Sequence, residues 1–212
     1  MLEEHVQRAA EQLKLRERAR DEALGRARRA RVLSKQAILN LHGDDHEAAG
    51  SKLDEAGRLL EEIKGLVEES TELARFEAVE AAFQEFAEAS IIMALKASGE
   101  FPGPEGLGVS VEDYLLGLGD VPGELRREAL DALRTGDMGL AELRLAQMER
   151  IYLALVSMEE MTLLRGLRRK LDIARGVIER TRGDVTAEAG RRRLGESVRR
   201  LEERMKGDGG HP

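Results

Sequence analysis

Residues 113–127 read DYLLGLGDVPGELRR, and this stretch decides the fold more clearly than any other part of the chain. Its apolar residues recur at helical spacing, yet Gly117, Gly119 and Gly123 interrupt the pattern. Glycine inside a helix costs up to about 1 kcal/mol relative to alanine, so three glycines indicate close approach by another backbone or a ligand. We therefore predict a helix that makes an unusually close contact on one side.

The same stretch carries two acidic side chains on one helical face, because Asp120 and Glu124 are four residues apart. They are candidates for a ligand site among the glycines. The alternative from the residues alone is structural: Asp120 caps a helix that is broken at Pro122, and the glycines serve tight helix packing.

Helical periodicity extends from this stretch along almost the whole chain, and no convincing alternation of period two is present. We predict an all-α fold, an elongated antiparallel bundle of about six or seven helices forming one domain over 1–205, with a disordered tail over 206–212. The predicted helices span about 2–41, 46–97 with a break near 65, 110–134, 139–182 with an interruption near Gly166, and 186–205.

Local signals mark the ends of these helices. Asp44 or Asp45 can cap the second helix, and Ser110 with Asp113 has the form of a capping box. Residues 98–108, dense in Gly and Pro, form a loop, and Gly183-Asp184 is expected to stop a helix.

Composition excludes several kinds of chemistry. The chain has no Cys, so disulfides, thiolate metal sites and cysteine nucleophiles are excluded, and aromatic residues are only 3%. The acidic N-terminus is not a signal peptide, and no apolar run reaches the roughly 20 residues of a membrane span, so a cytoplasmic protein is expected.

The formal net charge of −7 hides strong segregation of charge along the chain. The segment from Lys14 to Lys35 is basic, the segment from Asp44 to Glu88 is acidic, and the segment from Arg165 to Arg204 is basic again. Because local patches decide what approaches a surface, the negative total does not exclude nucleic acid.

Residues 84–88, Gln-Glu-Phe-Ala-Glu, place the carboxylates of Glu85 and Glu88 at i and i+3 on one helical face. Two such carboxylates repel unless a cation lies between them, and a hard divalent ion is a natural candidate. In so glutamate-rich a chain, a solvated acidic face is the more common explanation of this spacing.

Basic residues recur on one face of the first helix, at Arg28, Arg31 and Lys35. They could neutralise phosphates and give affinity that depends on salt and not on base sequence. The alternative is a solvated face that pairs with the glutamate-rich helix.

Taken together, these segments resemble the translin family, and within it the factor X branch. Residues 113–127 resemble the family's signature helix, and residues 84–89, Gln-Glu-Phe-Ala-Glu-Ala, resemble the acidic segment of the factor X branch. Residues 32–42 and 167–183 resemble the family's first helix and its late helix ending in Arg-Gly. Pro122 departs from the family pattern and puts the direction of Glu124 in question.

The resemblance implies a subunit of a closed octameric shell that encloses RNA or single-stranded DNA. It implies Glu85, Glu88 and Asp120 as the catalytic residues and ligands of Mg²⁺ (or Mn²⁺), with Glu124 as an outer or fourth ligand. Arg28 and Lys35 fall where the family has basic residues, and Arg127 matches the arginine after its Gly-Glu-Leu. With Arg31, these are the expected nucleic-acid-binding residues.

Three hypotheses for function follow from the sequence. The first is a metal-dependent endoribonuclease that cleaves single-stranded RNA inside a homo-oligomer. The second is a translin-like oligomer that binds single-stranded RNA or DNA without cleaving it. The third is a helical scaffold, for which neither retention nor cleavage of RNA is expected.

Overall fold

The computed structural model describes residues 1–69, 73 and 76–208, and within these ranges the regular elements are helices, with no strand. Seven helices have eight or more residues, and α4 is a single turn. This confirms the prediction of an all-α chain with six or seven main helices. The helices are α1 (Leu2–His42), α2 (His46–Glu69), α3 (Glu77–Ala97), α4 (Pro104–Leu107), α5 (Val111–Leu118), α6 (Val121–Thr135), α7 (Met138–Val156) and α8 (Leu167–Asp208).

The chain divides into two compact units. The first comprises Met1–Val121 with Met161–Leu167, and the second comprises Pro122–Glu160 with the chain from Arg168 onward. The single domain predicted over 1–205 remains a prediction. None of the helices in the described ranges combines the length and the apolar character that a membrane crossing requires.

The first unit is held together by small residues that let α1, α2 and α3 approach closely. Alanines alternate with larger residues, most of them aliphatic, on all three helices, so the helix backbones can approach closely. The core cluster is Ala27, Ala30, Leu33, Ala56, Leu60, Ile63, Val79, Ala82 and Phe83.

The second unit uses buried polar groups as well as apolar ones. Arg144 and Glu128 are both buried, and their Nε and Oε2 atoms lie 2.7 Å apart. On α6, Arg126 donates to the Thr181 hydroxyl at 2.9 Å and pairs with Asp184 at 3.0 Å. These contacts connect α6 to α7 and to α8.

Most of the predicted helix ends are confirmed. Asp45 Oδ1 accepts from the Ala48 backbone N–H at 3.0 Å, as expected of a cap at the start of α2. Ser110 Oγ accepts from the Asp113 N–H at 3.0 Å and opens α5. Gly136, at a φ of 82°, ends α6 in the left-handed region that glycine adopts without strain.

The predicted single helix over 110–134 is two helices, which agrees with the structural alternative of a helix broken at Pro122. Leu118 ends α5, and α6 begins at Val121 after the turn of Gly119 and Asp120. Pro122 therefore lies in the first turn of a new helix, where its missing N–H costs nothing, and not in a helix interior.

Two further predictions about α8 are corrected. Gly183-Asp184 does not stop a helix, because α8 continues through both residues to Asp208. The ion pair of Asp184 with Arg126 and the burial of Val185 outweigh the weak helix propensity of glycine here. The tail predicted as disordered over 206–212 is helical at 206–208, and its remainder lies outside the described residues.

The closest contact inside the first unit is between α5 and α3, at Gly117. A Cβ atom built on Gly117 would lie 2.5 Å from the Gln84 carbonyl oxygen, 2.9 Å from the Ala87 Cβ and 3.1 Å from the Glu88 backbone nitrogen. No side chain fits there, so the two backbones touch. The close approach predicted from the glycines of this stretch is confirmed at Gly117.

We predict that Gly117→Ala lowers the free energy of unfolding by about 2 kcal/mol, because α5 must move off α3 to admit the methyl group. Gly65→Ala is the matched control, since nothing lies within 4 Å of that added carbon. It should stabilise α2 by up to about 1 kcal/mol. Urea denaturation measures both, and equal stability of the two variants would contradict the close contact.

Candidate acidic and basic site on helices α1, α3 and α5

The acidic turn of α3 carries the two glutamates that the sequence singled out. Glu88 is only 8% exposed, and the Glu85 side chain is 15% exposed. Neither is a solvated surface carboxylate, so the structural alternative for this pair does not hold. Carboxylates removed from water to this degree need charge compensation or hydrogen bonds.

Compensation for Glu85 comes from the basic face of α1. Arg31 Nε lies 3.1 Å from Glu85 Oε2, and Lys35 Nζ lies 3.7 Å from the same oxygen. Two of the predicted phosphate-binding residues thus contact one of the predicted metal ligands. The third, Arg28, is exposed on the same helix, where its Nε donates to the Leu24 carbonyl at 3.1 Å.

The side of α5 that faces α3 carries Asp113 and Gly117, which are four residues apart. Asp113 accepts from the Gln84 side-chain amide at 3.3 Å, while Gly117 contacts Gln84 through Glu88. Both helices therefore run in the same direction from this contact. One turn beyond Gly117, Asp120 follows the end of α5, where its own side chain is exposed.

Asp113 is the charged group that sequence reasoning missed as part of this site. The sequence pattern indicates only its place in a capping box, and Ser110 Oγ does donate to its Oδ2 at 2.7 Å. Burial raises the pKa of the Asp113 carboxyl, the hydrogen bonds from Ser110 and Gln84 oppose that rise, and nearby Glu80 and Glu112 add to it. The spacing of Asp113 and Gly117, four residues apart on one helical face, was the signal that could have revealed it.

Two predicted site residues belong to the second unit. Glu124 and Arg127 lie on α6 beyond Pro122, with Arg127 exposed and Glu124 half-buried. Their expected roles as an outer ligand and a phosphate contact stay predictions.

The donor set suits a hard divalent cation by type, because Glu85, Glu88 and Asp120 offer only carboxylate oxygens. Over 1–69, 73 and 76–208, however, no three Asp, Glu, His or Cys side chains are grouped so that they could hold a metal ion. Glu85 is turned to Arg31 and Lys35 instead. A cation could use this set only after Glu85 leaves its two partners on α1.

Comparison with known proteins gives the same picture of the fold. The chain is 37% identical to AfC3PO, with a TM-score of 0.82 over 89% of this chain and 98% of that one. The structure of AfC3PO with duplex RNA matches at 36% identity and the same TM-score, with the same coverage of both chains. Apo-NeC3PO, at 24% identity and a TM-score of 0.80 over 86% of this chain and 96% of that one, shares the fold.

A curated relative is an uncharacterised protein of Methanocaldococcus jannaschii, 36% identical over 120 residues. That match covers 56% of this chain and 54% of the relative, so the chain spans about half the length of that protein.

The helices and the site define an all-α protein that sets an acidic turn against a basic helix face. The model of the translin family matches residues 60–181, which is more than half of the chain and includes α3, α5 and α6. The chain belongs to the translin family.

Proposed function

We propose that this protein binds RNA and cleaves it as a divalent-cation-dependent endoribonuclease of the factor X type, with Glu85, Glu88 and Asp120 as the reactive carboxylates. The observation that carries the proposal is the backbone contact at Gly117. It brings α5, which ends at Leu118 two residues before Asp120, onto the turn of Gln84 to Glu88. The likeness to AfC3PO, which has been solved with duplex RNA, supports RNA as the ligand.

Each proposed site residue has its own role in phosphodiester hydrolysis. Mg²⁺ or Mn²⁺, when bound, would supply an acidic water and positive charge against the phosphate. Glu85 or Glu88 could accept the proton of the attacking water, since each is a carboxylate on the acidic turn. Arg31 and Lys35 would neutralise the phosphate charge that approaches those carboxylates. Glu124 is the proposed outer ligand.

The proposed working form is a closed homo-octamer. Exposed apolar residues recur along the last part of α8 at i, i+4, i+7 and i+11, a stripe that a monomer would leave in water. The residues of this stripe are Leu194, Val198, Leu201 and Met205, each at least 47% exposed. Burial of such stripes between copies would supply the apolar contacts that long, charged helices lack.

One observation favours a second candidate, an oligomer that binds single-stranded RNA or DNA without cleaving it. Arg31 and Lys35 already satisfy Glu85. If that pairing persists with RNA bound, the basic face would retain RNA while the acidic turn stayed closed to a cation.

We predict that the purified protein cleaves labelled RNA in Mg²⁺ and that EDTA abolishes cleavage, with single-stranded and duplex substrates tested side by side. Glu85→Gln should slow cleavage at least about 100-fold, because it removes a ligand charge. Glu77→Gln, an exposed glutamate in the first turn of the same helix, is the control and should cleave as fast as the wild type.

Two outcomes of that assay would count against the proposal. Cleavage by Glu85→Gln at the wild-type rate would remove Glu85 from the site. Retention of RNA with no turnover in Mg²⁺ or Mn²⁺ would favour the binding-only alternative.

We predict separately that RNA affinity falls steeply with salt and that Lys35→Met lowers the slope of log affinity against log salt by about one. Lys14→Met, an exposed lysine near the start of α1, is the control and should leave the slope unchanged. Fluorescence anisotropy over a salt series measures both. Equal slopes for the two variants would show that Lys35 does not contact phosphate.

A further inference from the structure

The ion pairs of Glu85 connect a proposed metal ligand with two proposed phosphate-binding residues, Arg31 and Lys35. Arg31 and Lys35 reach the same Glu85 oxygen from one face of α1, at 3.1 Å and 3.7 Å. Their side chains are about half exposed, at 49% and 53%, while the Glu85 side chain is 15% exposed. The two basic side chains are therefore accessible to an incoming anion, whereas the carboxylate is largely shielded from solvent.

Charge balance makes separate binding of either ligand unfavourable here. A phosphate that takes Arg31 and Lys35 away would leave Glu85, a largely buried carboxylate, without its cations. A divalent cation that takes Glu85 away would bring its own charge next to Arg31 and Lys35. Both ligands together leave every charge paired, since the phosphate receives the basic side chains and the cation receives the carboxylate.

We infer that Arg31 and Lys35 are positioning residues that hold Glu85 away from a divalent cation until an RNA phosphate draws them off. RNA and the cation then bind with positive cooperativity, because each removes the competitor of the other. The inference rests on the proposed function for the roles of Glu85 and the phosphate. It adds that the acidic turn is closed in the absence of RNA.

The test is Mn²⁺ binding without RNA, measured by the loss of the free Mn²⁺ signal in electron paramagnetic resonance. Arg31→Met should raise Mn²⁺ affinity about fivefold over the wild type, because Glu85 loses its shorter ion pair. Lys35→Met should raise it less, as its pair is longer. A residue that only bound phosphate, or only supported the fold, would not strengthen metal binding when removed.

A matched control lies two residues away on the same helix. Arg29 is 54% exposed and pairs at 3.0 Å with Glu55 of α2, so Arg29→Met removes a comparable ion pair at a different carboxylate. Its Mn²⁺ affinity should equal that of the wild type. Adding Glu85→Gln to Arg31→Met should abolish the gain.

Unchanged or weaker Mn²⁺ binding by both Arg31→Met and Lys35→Met would overturn the inference, as would an equal gain in Arg29→Met. Its failure is distinguishable from failure of the proposed function. If the protein cleaves RNA but these variants bind Mn²⁺ like the wild type, it is a ribonuclease in which Arg31 and Lys35 do not control Glu85. If the protein does not cleave RNA but Arg31→Met gains Mn²⁺ affinity through Glu85, the control of Glu85 by Arg31 and Lys35 is supported and the ribonuclease assignment is wrong.

Discussion

The contact of the Gly117 backbone with the turn of Gln84 to Glu88 is the constraint on which the candidate site depends. Because this position has no Cβ, α5 can lie directly against the backbone of α3 at Gln84 and Glu88 and against the Ala87 Cβ. Two hydrogen bonds then fix the contact from one end, as Ser110 holds Asp113 and Gln84 donates to Asp113. The contact thereby brings Asp113 of α5 next to the acidic turn of α3, although the two segments are distant in sequence.

The site is costly in electrostatic terms, and the fold offsets that cost from α1. Glu85 and Glu88 lie where water is largely excluded, and burial also disfavours the charged form of Asp113. The basic stretch of α1 runs along this acidic turn and supplies Arg31 and Lys35 to Glu85. Segregation of charge along the sequence thus becomes pairing of charge in space.

Local chemistry was sufficient to predict the helical class and most helix ends. The caps at Asp45 and Ser110 need only neighbouring atoms, so their sequence patterns are reliable. The helix end predicted at Gly183-Asp184 is absent because a tertiary ion pair between Arg126 and Asp184 stabilises α8 where helix propensity alone would end it. The break between α5 and α6 agrees with the alternative of a helix broken at Pro122, because proline is favoured in the first turn of a helix.

The candidate site was predictable as residues but not as an arrangement. Spacing identified Glu85 and Glu88 as neighbours, and the glycines indicated close packing. Pairing of the basic face with the glutamate-rich helix was the alternative that the residues offered, and Arg31 and Lys35 do pair with Glu85. The sequence did not identify Glu85 as the partner, because 54 residues separate it from Arg31 and a metal ion would satisfy the same charge. Family resemblance supplied Asp120 as the third carboxylate. It follows the end of α5, and the part of the chain that the structure describes does not group it with Glu85 and Glu88 as a metal site.

The most direct measurement is anomalous diffraction from crystals of the protein grown with Mn²⁺ and a 2′-O-methyl RNA that resists cleavage. The account predicts a manganese peak about 2.1 Å from carboxylate oxygens of Glu85, Glu88 and Asp120, with Arg31 turned to a phosphate. A manganese peak elsewhere would contradict it, as would RNA-bound crystals with Glu85 still paired to Arg31 and no manganese on the acidic turn.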